Sequence, residues 1–548
     1  MLRSIFTKTL RDYRVAILGW GIGLALVLYA QLAAYGTQIT SPEARASAVT
    51  LAQAFRFFAD PIAVDTPTGY VTWKTMGSLP LLLGIWALLA GSRLVRGAEE
   101  RGALDMVLAT PRSRARYLGE GIGALVTALA LIGIIIGLGA MGGEAAANVP
   151  VAAGGALLAG LNVSLMALVV GLVALLLSQF LARAGAAAGA AAGLMVLAWV
   201  VDGAGRTIQN GAWLSRLSPY HLYMMSKPLI ASAGANLGAM LGLVALAVIC
   251  GAVSVPLFAR RDLGGTAWQV QWAARRVDQR RALTKAAGDA SLRGILPRAL
   301  RADLGMIAWW IIGPALFVAG SVGIVRATKD SVRSMLDGSA VIREILSGLA
   351  SGSDAGFLST LLFLYLPILI AVYALMQAES WARNLDAGRY ELVVSTPTPR
   401  WRVFLDSWGA TLVALVAAPL VLWLVTAISV RAWGLQVSLG DLAVAFLGLL
   451  PLELIVAGLV YLIGGRLSAS AITGVVGGLL AVSFFVEFLD PVLKLPGWVA
   501  GLSIFHQYGN PILTSPSWGG WVGLTAIAAA FVLLGLARFT HNDLPRGV

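Results

Sequence analysis

Apolar runs long enough to cross a bilayer recur along the whole of this chain. A membrane-spanning helix needs about 20 such residues. Runs of that kind lie near 15–35, 75–93, 121–142, 150–180, 184–202, 237–258, 304–325, 356–379, 407–430, 442–465, 467–487 and 518–537. A transmembrane barrel would alternate polar and apolar residues over about ten positions, and these runs do not alternate. The pattern therefore predicts an all-α polytopic membrane protein with about twelve spans. The composition agrees: 12% of the 548 residues are charged, about half the fraction of a water-soluble chain.

Lys and Arg number 40 against 27 Asp and Glu. In a spanning protein that excess marks cytoplasmic segments, not nucleic acid. The basic residues gather at 1–14, 93–118, Arg183, 259–301, 380–402, Arg466 and 538–548, which predicts both termini in the cytoplasm and segments 36–73 and 326–355 outside. The basic start "MLRSIFTKTLRDYR" precedes a run too long for a signal-peptide core, so it reads as a retained first span. Cys250 is the single cysteine, which leaves no intramolecular disulfide and no cysteine metal site.

The chain repeats itself. "EERGALDMVLATPRSRARYLGE" (99–120) overlays "DAGRYELVVSTPTPRWRVFLD" (386–406), pairing Gly102 with Gly388, Val107 with Val393, Thr110-Pro111 with Thr396-Pro397 and Arg114 with Arg400. Acidic residues keep their places: Glu100 with Asp386, Asp105 with Glu391, Glu120 with Asp406. "LRDYRVAILGWGIG" (10–23) echoes "LRADLGMIAWWIIG" (300–313), "LSPYHLY" (217–223) echoes "LSIFHQY" (502–508), and "FARRDL" (258–263) echoes "FTHNDL" (539–544). Matches in one order predict two parallel six-span halves, 1–263 and 301–548, related by an axis along the membrane normal. A basic linker, 264–300, joins them. Its Trp268, Trp272 and "RRVDQRRALTK" (275–285) suit an amphipathic helix at the lipid headgroups.

In each copy the polar cassette predicts a short elbow between two spans. Leu104, Val107 and Leu108 form one apolar helix face, and Tyr390, Val393 and Val394 repeat it. Thr110 and Thr396 read as caps, with Pro111 and Pro397 at the first helical position of the next span. One such elbow is equally well explained by lipid, with its apolar face in acyl chains and its arginines on phosphate. Two matching elbows suit a twofold-symmetric partner that offers two equivalent sockets.

The first cassette, through Glu99, Gly102, Leu104, Asp105, Leu108, Ala109, Thr110, Pro111 and Arg114, resembles the coupling segment of ABC-2 type exporter permeases. Ala103 stands where that family commonly has Thr, and the second cassette is a weaker match. Two fused six-span units resemble the antibiotic-exporter branch, the membrane component of tetronasin-resistance-like and polyketide-exporter systems. The resemblance implies a permease of the bacterial cytoplasmic membrane. Its elbows (Glu99, Glu100, Gly102, Leu104, Asp105, Val107, Leu108, Pro111 and Arg114; Asp386, Gly388, Tyr390, Glu391, Val393, Val394, Pro397 and Arg400) would seat on a separate ATP-binding subunit, most simply a homodimer. No Gly-x-x-x-x-Gly-Lys-(Ser/Thr) loop occurs in the sequence, so ATP and Mg would be held by that partner and this chain carries no cofactor. The expected cargo is amphipathic or hydrophobic, a drug-like molecule or a lipid, because the spans offer few charges to a polar solute.

Other residues stand out. Gly185, Gly189 and Gly193 make a small-residue stripe that lets helices approach closely; Gly474 and Gly478 echo it. In the family this span nears the central axis, so the stripes are expected where the halves meet and serve as substrate-path candidates. Asp202 and Glu487 end these spans and read as solvated helix ends. Trp213, His221, Trp498 and His506 follow, as a re-entrant outer gate or as interfacial anchors. Three histidines without ligand spacing argue against a metal site. Glu453 alone falls deep within a span, where an acid can stay protonated, meet a cationic substrate or pair with a polar neighbour. The alternative function is a proton-coupled secondary transporter using Glu453, Asp202 or Glu487, which leaves the paired elbows without a purpose.

Overall fold

A computed structural model describes residues 4–541 except 40, 58, 209, 268–293, 339–352, 364, 494 and 513–514. The linker residues Trp268, Trp272 and 275–285 lie outside the described residues. Ten helices are long and apolar enough to span by themselves, and two bent pairs bring the number to twelve among the described residues.

The first half holds span 1 (Ile5–Ala33), span 2 (Pro67–Met76 with Leu79–Arg93), span 3 (Arg114–Ala146), span 4 (Ala153–Phe180), span 5 (Ala184–Thr207) and span 6 (Leu237–Arg260). The second holds span 7 (within Ile295–Gly338), span 8 (Asp354–Phe363 with Leu366–Asp386), span 9 (Arg400–Ala432), span 10 (Leu439–Ile463), span 11 (Ala469–Leu493) and span 12 (Trp518–His541). Spans 2 and 8, equivalent in the repeat, are the bent pairs, at 42° and 40°. In both, proline follows the break, at Pro80 and Pro367, where its missing N–H and fixed φ suit a restarting helix.

Within each half, neighbouring spans pack side by side; spans 1 and 3, 2 and 4, and 10 and 12 are among the closest pairs. Between halves, span 5 lies on span 7. Gly193 and Gly313 meet backbone to backbone there: a Cβ on Gly313 would stand 2.7 Å from the Gly193 Cα. Trp310 lies over Gly189 and donates from Nε1 to the Gly185 carbonyl at 3.0 Å. The Gly185–Gly193 stripe thus sits between the halves, where small residues let two helices close up.

The second stripe departs from expectation. Gly474 and Gly478 have nothing within 4 Å of a built Cβ. Span 11 meets span 1 through Phe485, which fills the space at Gly23 and packs on Trp20 at 5.9 Å. Trp20 is the repeat counterpart of Trp310, yet it covers Phe485 and leaves the glycines bare. One seam between the halves is tight; the other is held by an aromatic wedge.

Candidate functional site

Each elbow begins where span 2 or span 8 ends. A short helix (Arg96–Glu100) continues span 2, and Gly102 then turns the chain at φ 68°; Gly388 does so after span 8 at φ 62°. Only glycine adopts that left-handed conformation without steric cost. The elbow helices proper, Ala103–Leu108 and Arg389–Val394, follow at once.

Three sequence expectations about the elbows need correction. Leu104 and Tyr390 do not project outward: they are 1% and 6% exposed and pack into their own half. Leu108, Val393 and Val394 are half-buried against the same core, and Val107 is half-buried. The projecting apolar side chains are Met106 and Leu392, equivalent in the repeat and 72% and 75% exposed. A six-residue helix shows apolar residues on both faces, and spacing alone marks only the inner one. Thr110 and Thr396 do not cap the next spans either. Their hydroxyls donate back to the carbonyls of Val107 and Val393, at 2.6 and 2.5 Å, and so close the elbow helices. Pro111 and Pro397 stand exposed outside any helix, and spans 3 and 9 begin at Arg114 and Arg400, capped by Ser113 and preceded by Pro399.

The repeated acids have distinct tasks. Glu100 Oε1 accepts the Ala184 N–H at 2.8 Å, and Asp386 Oδ2 accepts the Ala469 N–H at 2.6 Å. Each elbow therefore caps the N-terminus of its half's fifth span, where free N–H groups and the helix dipole attract a carboxylate. Glu120 Oε2 accepts the backbone N–H groups of Ile5 and Phe6, at 2.7 and 3.3 Å, and ties span 3 to the start of span 1. Asp105 and Glu391 are exposed beside the apolar knobs. Arg114 donates to the last carbonyls of span 6, Arg261 at 2.5 Å and Ala259 at 3.4 Å; Arg400 is half-buried.

The surfaces behind the elbows differ. In the first half Glu99 bridges two fully buried arginines, Arg96 at 2.9 Å and Arg261 at 2.8 Å, which also bond Ser178, Gln179 and Gly265. In the second half the same place is aromatic. Trp381 stacks on Tyr461 at 5.1 Å and meets Tyr390, Phe404 and Phe539 at 4.7 to 5.2 Å. Tyr390 Oη also reaches Ser407 Oγ at 3.1 Å.

On the side away from the elbows, Asp202 is not a solvated helix end. It is fully buried, 2.7 Å from Arg206 and hydrogen-bonded by Ser215, which reaches His221 Nδ1 at 3.0 Å. Arg206 stands one helical turn after Asp202, a spacing that brings ion partners together. Glu487 is half-buried and pairs with His506 Nδ1 at 3.3 Å. Trp213 and Trp498 are exposed. Glu453 is fully buried, and neither carboxylate oxygen has a hydrogen-bond partner among the described residues. An apolar cavity lies between the halves, lined by Leu82 and Ile85 of span 2, Met195 and Trp199 of span 5, Phe317 of span 7 and Ile368 of span 8, among others.

Sequence reasoning passed over Met106, Leu392, Arg96, Arg261 and Trp381. It also passed over Arg93, whose Nη2 lies 2.6 Å from Glu379 Oε2. The register that pairs Gly102 with Gly388 pairs Arg93 with Glu379, and that opposition of charge was the available signal.

Two family models match, one after the other. The model of the ABC-2 family transporter protein covers residues 3–263. That of the multidrug efflux system permease Rv1217c, C-terminal domain, covers residues 292–540. No curated protein matches the chain.

Proposed function

We propose, for a chain that belongs to the ABC-2 type exporter permeases, that it is the whole membrane path of an ATP-driven exporter, coupled through its two elbows to two copies of one ATPase. The permease is a multi-pass membrane protein; the cytoplasmic placement of both elbows and both termini, in a bacterial inner membrane, belongs to the proposal.

One observation carries the reading. Between the two elbows four outward pairs correspond in kind, Asp105 and Glu391, Met106 and Leu392, Thr110 and Thr396, Pro111 and Pro397, while Arg101 and Ala387 differ. On the inner side Val107 and Leu108 match Val393 and Val394, but the deeper contacts differ: Leu104 against Tyr390, Arg96 against Ala382, Glu99 against Leu385. Had lipid alone covered the elbows, any apolar knob and any charge would serve. An acid and an apolar knob kept at the same outward places, over inner supports as different as an ion cluster and an aromatic cluster, fit one socket presented twice, by a twofold-symmetric partner. ATP and Mg would close that dimer and carry both elbows together, tilting spans 2, 3, 8 and 9. Glu100 and Asp386 would pass the motion to spans 5 and 11 through the helix ends they cap. The cavity between the halves, about 20 Å³ here, would have to widen to take the cargo. Its all-apolar and aromatic wall suits a hydrophobic or amphipathic molecule.

The test is cross-linking. In a Cys250→Ala background, Met106→Cys and Leu392→Cys should each cross-link to the same peptide of the same ATPase chain. Cross-links to two different ATPase chains would refute the homodimer, and labelling of lipid alone would refute the sockets.

A further inference from the structure

Four helices converge on the contact between the halves; three present the same three layers in the same order, and span 2 the first and last of them. Span 7 carries Asp303, Trp310 and Phe317 at seven-residue spacing, about 10 Å per step along one helix face. Span 8 carries Glu379, then Met376 and Tyr373, then Leu369 and Tyr365; span 5 carries Gly185 and Gly189, then Met195 and Trp199, and is preceded by Arg183. Span 2 runs from Arg93 to Ile85 and Leu82. The layer furthest from the elbows is the apolar cavity. The middle layer is a plug: Trp310 over Gly189, Tyr373 6.3 Å from Trp310, and Met306 and Met376 against Gly185.

The layer nearest the elbows is ionic, and three of its four pairs cross between halves. Arg93 meets Glu379 at 2.6 Å, Arg183 meets Asp303, and Arg383 lies 3.7 Å from both Glu100 and Glu379. Arg93 also touches the Met376 sulfur at 3.1 Å, so the ionic layer rests on the plug.

Arg93 and Glu379 are counterparts in the repeat, and a residue that meets its own counterpart lies across the pseudo-twofold axis. Identical residues there would set like charges together. The fused chain allows the two positions to differ, and repulsion becomes attraction. An ion pair suits a part that must open. Both charges lose most of their water while it is closed and regain it when it separates, so the two states stay close in free energy. A hydrophobic seal of the same area would favour closure far more.

We propose that Arg93–Glu379, with its flanking bridges, is the latch of a gate whose body is the plug, between the cavity and the elbow side, and that Glu100 is its release. Glu100 ends the short helix leading into the elbow, caps span 5 of its own half and faces Arg383 of the other. An elbow displaced by its partner therefore shifts a member of the gate directly. The assignment of a driver rests on the coupling proposed above; the gate itself does not.

The test uses Ile85→Cys, in the cavity wall, in a Cys250→Ala background, without ATPase. In inside-out membrane vesicles an impermeant maleimide should label it slowly. Arg93→Met and Glu379→Gln, which keep bulk and lose charge, should each speed labelling at least tenfold, whereas Arg93→Lys should leave it slow. Rates unchanged in both neutral variants would overturn the gate, as would equal speeding by Arg93→Lys. Should the neutral variants fail to fold, Arg93→Cys with Glu379→Cys, joined by a bifunctional thiol reagent, gives a second reading. Joining should stop ATP-driven transport by the complex, and reduction should restore it. Transport that persists with the pair joined would also overturn the gate. Slow and fast labelling are readable even where no ATPase binds, so failure of the gate and failure of the coupling are separate outcomes.

Discussion

Glu100→Ala should loosen the first turn of span 5 while the packing of spans 3 and 4 is kept. The Glu100 carboxylate accepts the Ala184 N–H at 2.8 Å. The residue before that helix, Arg183, supplies no side-chain cap, so Glu100 is the one side chain seen to satisfy that helix end. A hydrogen bond to a charged group contributes about 1.5–3 kcal/mol. Its loss should raise the population of the opened turn roughly ten- to hundredfold. Hydrogen exchange read by mass spectrometry in nanodiscs would show this as faster exchange at Ala184–Ala186, with spans 3 and 4 unchanged. Asp386→Ala should do less at Ala469–Ala471. Asp386 is exposed, and Ser468 Oγ there also accepts the Ala471 N–H at 3.3 Å. Glu100→Gln keeps an acceptor and should fall between wild type and Ala. Exchange at Ala184–Ala186 that changes by less than about threefold in Glu100→Ala would refute the capping argument.

Five further outcomes are expected. Gly313→Leu must force spans 5 and 7 apart and should cost about 1–3 kcal/mol, seen as a lower Tm in detergent. Gly474→Leu meets nothing within 4 Å and should change stability by less than about 0.5 kcal/mol. Asp202→Ala strands the buried Arg206 and should cost about 3–5 kcal/mol in the same assay; a neutral result would deny the pairing. Glu453→Gln should leave ATP-driven transport in proteoliposomes largely intact, and its loss together with loss of proton dependence would point to secondary transport. Cysteines at Ser41 and Ser353 should react with an impermeant maleimide outside intact spheroplasts, and one at Ser113 should not; the reverse pattern would invert the topology.

Span number was legible because it is a long-range regularity. A run of twenty apolar residues has few other uses. What the sequence concealed lies in side-chain direction. Leu104 and Met106 are both apolar, and only the neighbouring spans decide which is covered. Thr110 and Thr396 stand before proline and so imitate caps, but each hydroxyl turns back to the carbonyl three residues earlier. Asp202 ends an apolar run and reads as solvated until Arg206 and Ser215 are folded over it. Gly474 echoes Gly189, yet an echo cannot say whether a tryptophan will lie on it; Trp310 does so in one seam and Trp20 does not in the other. The gate was hidden for a related reason. Arg93 and Glu379 look like ordinary helix-end charges until the repeat register sets them against each other.

The coupling claim is tested most directly by the two exposed knobs. Met106→Asp and Leu392→Asp leave the inward anchors Leu104 and Tyr390 in place, so the twelve-span body should fold in both. A knob seated in a partner's groove is a hot-spot contact whose loss costs about 2 kcal/mol or more, roughly thirtyfold in affinity. Co-purification with the ATPase and transport-linked ATP hydrolysis should fall together in each variant, to a similar degree, because one socket is presented twice. Wild-type ATPase retention and coupling in both would contradict the account and leave the elbows as lipid anchors.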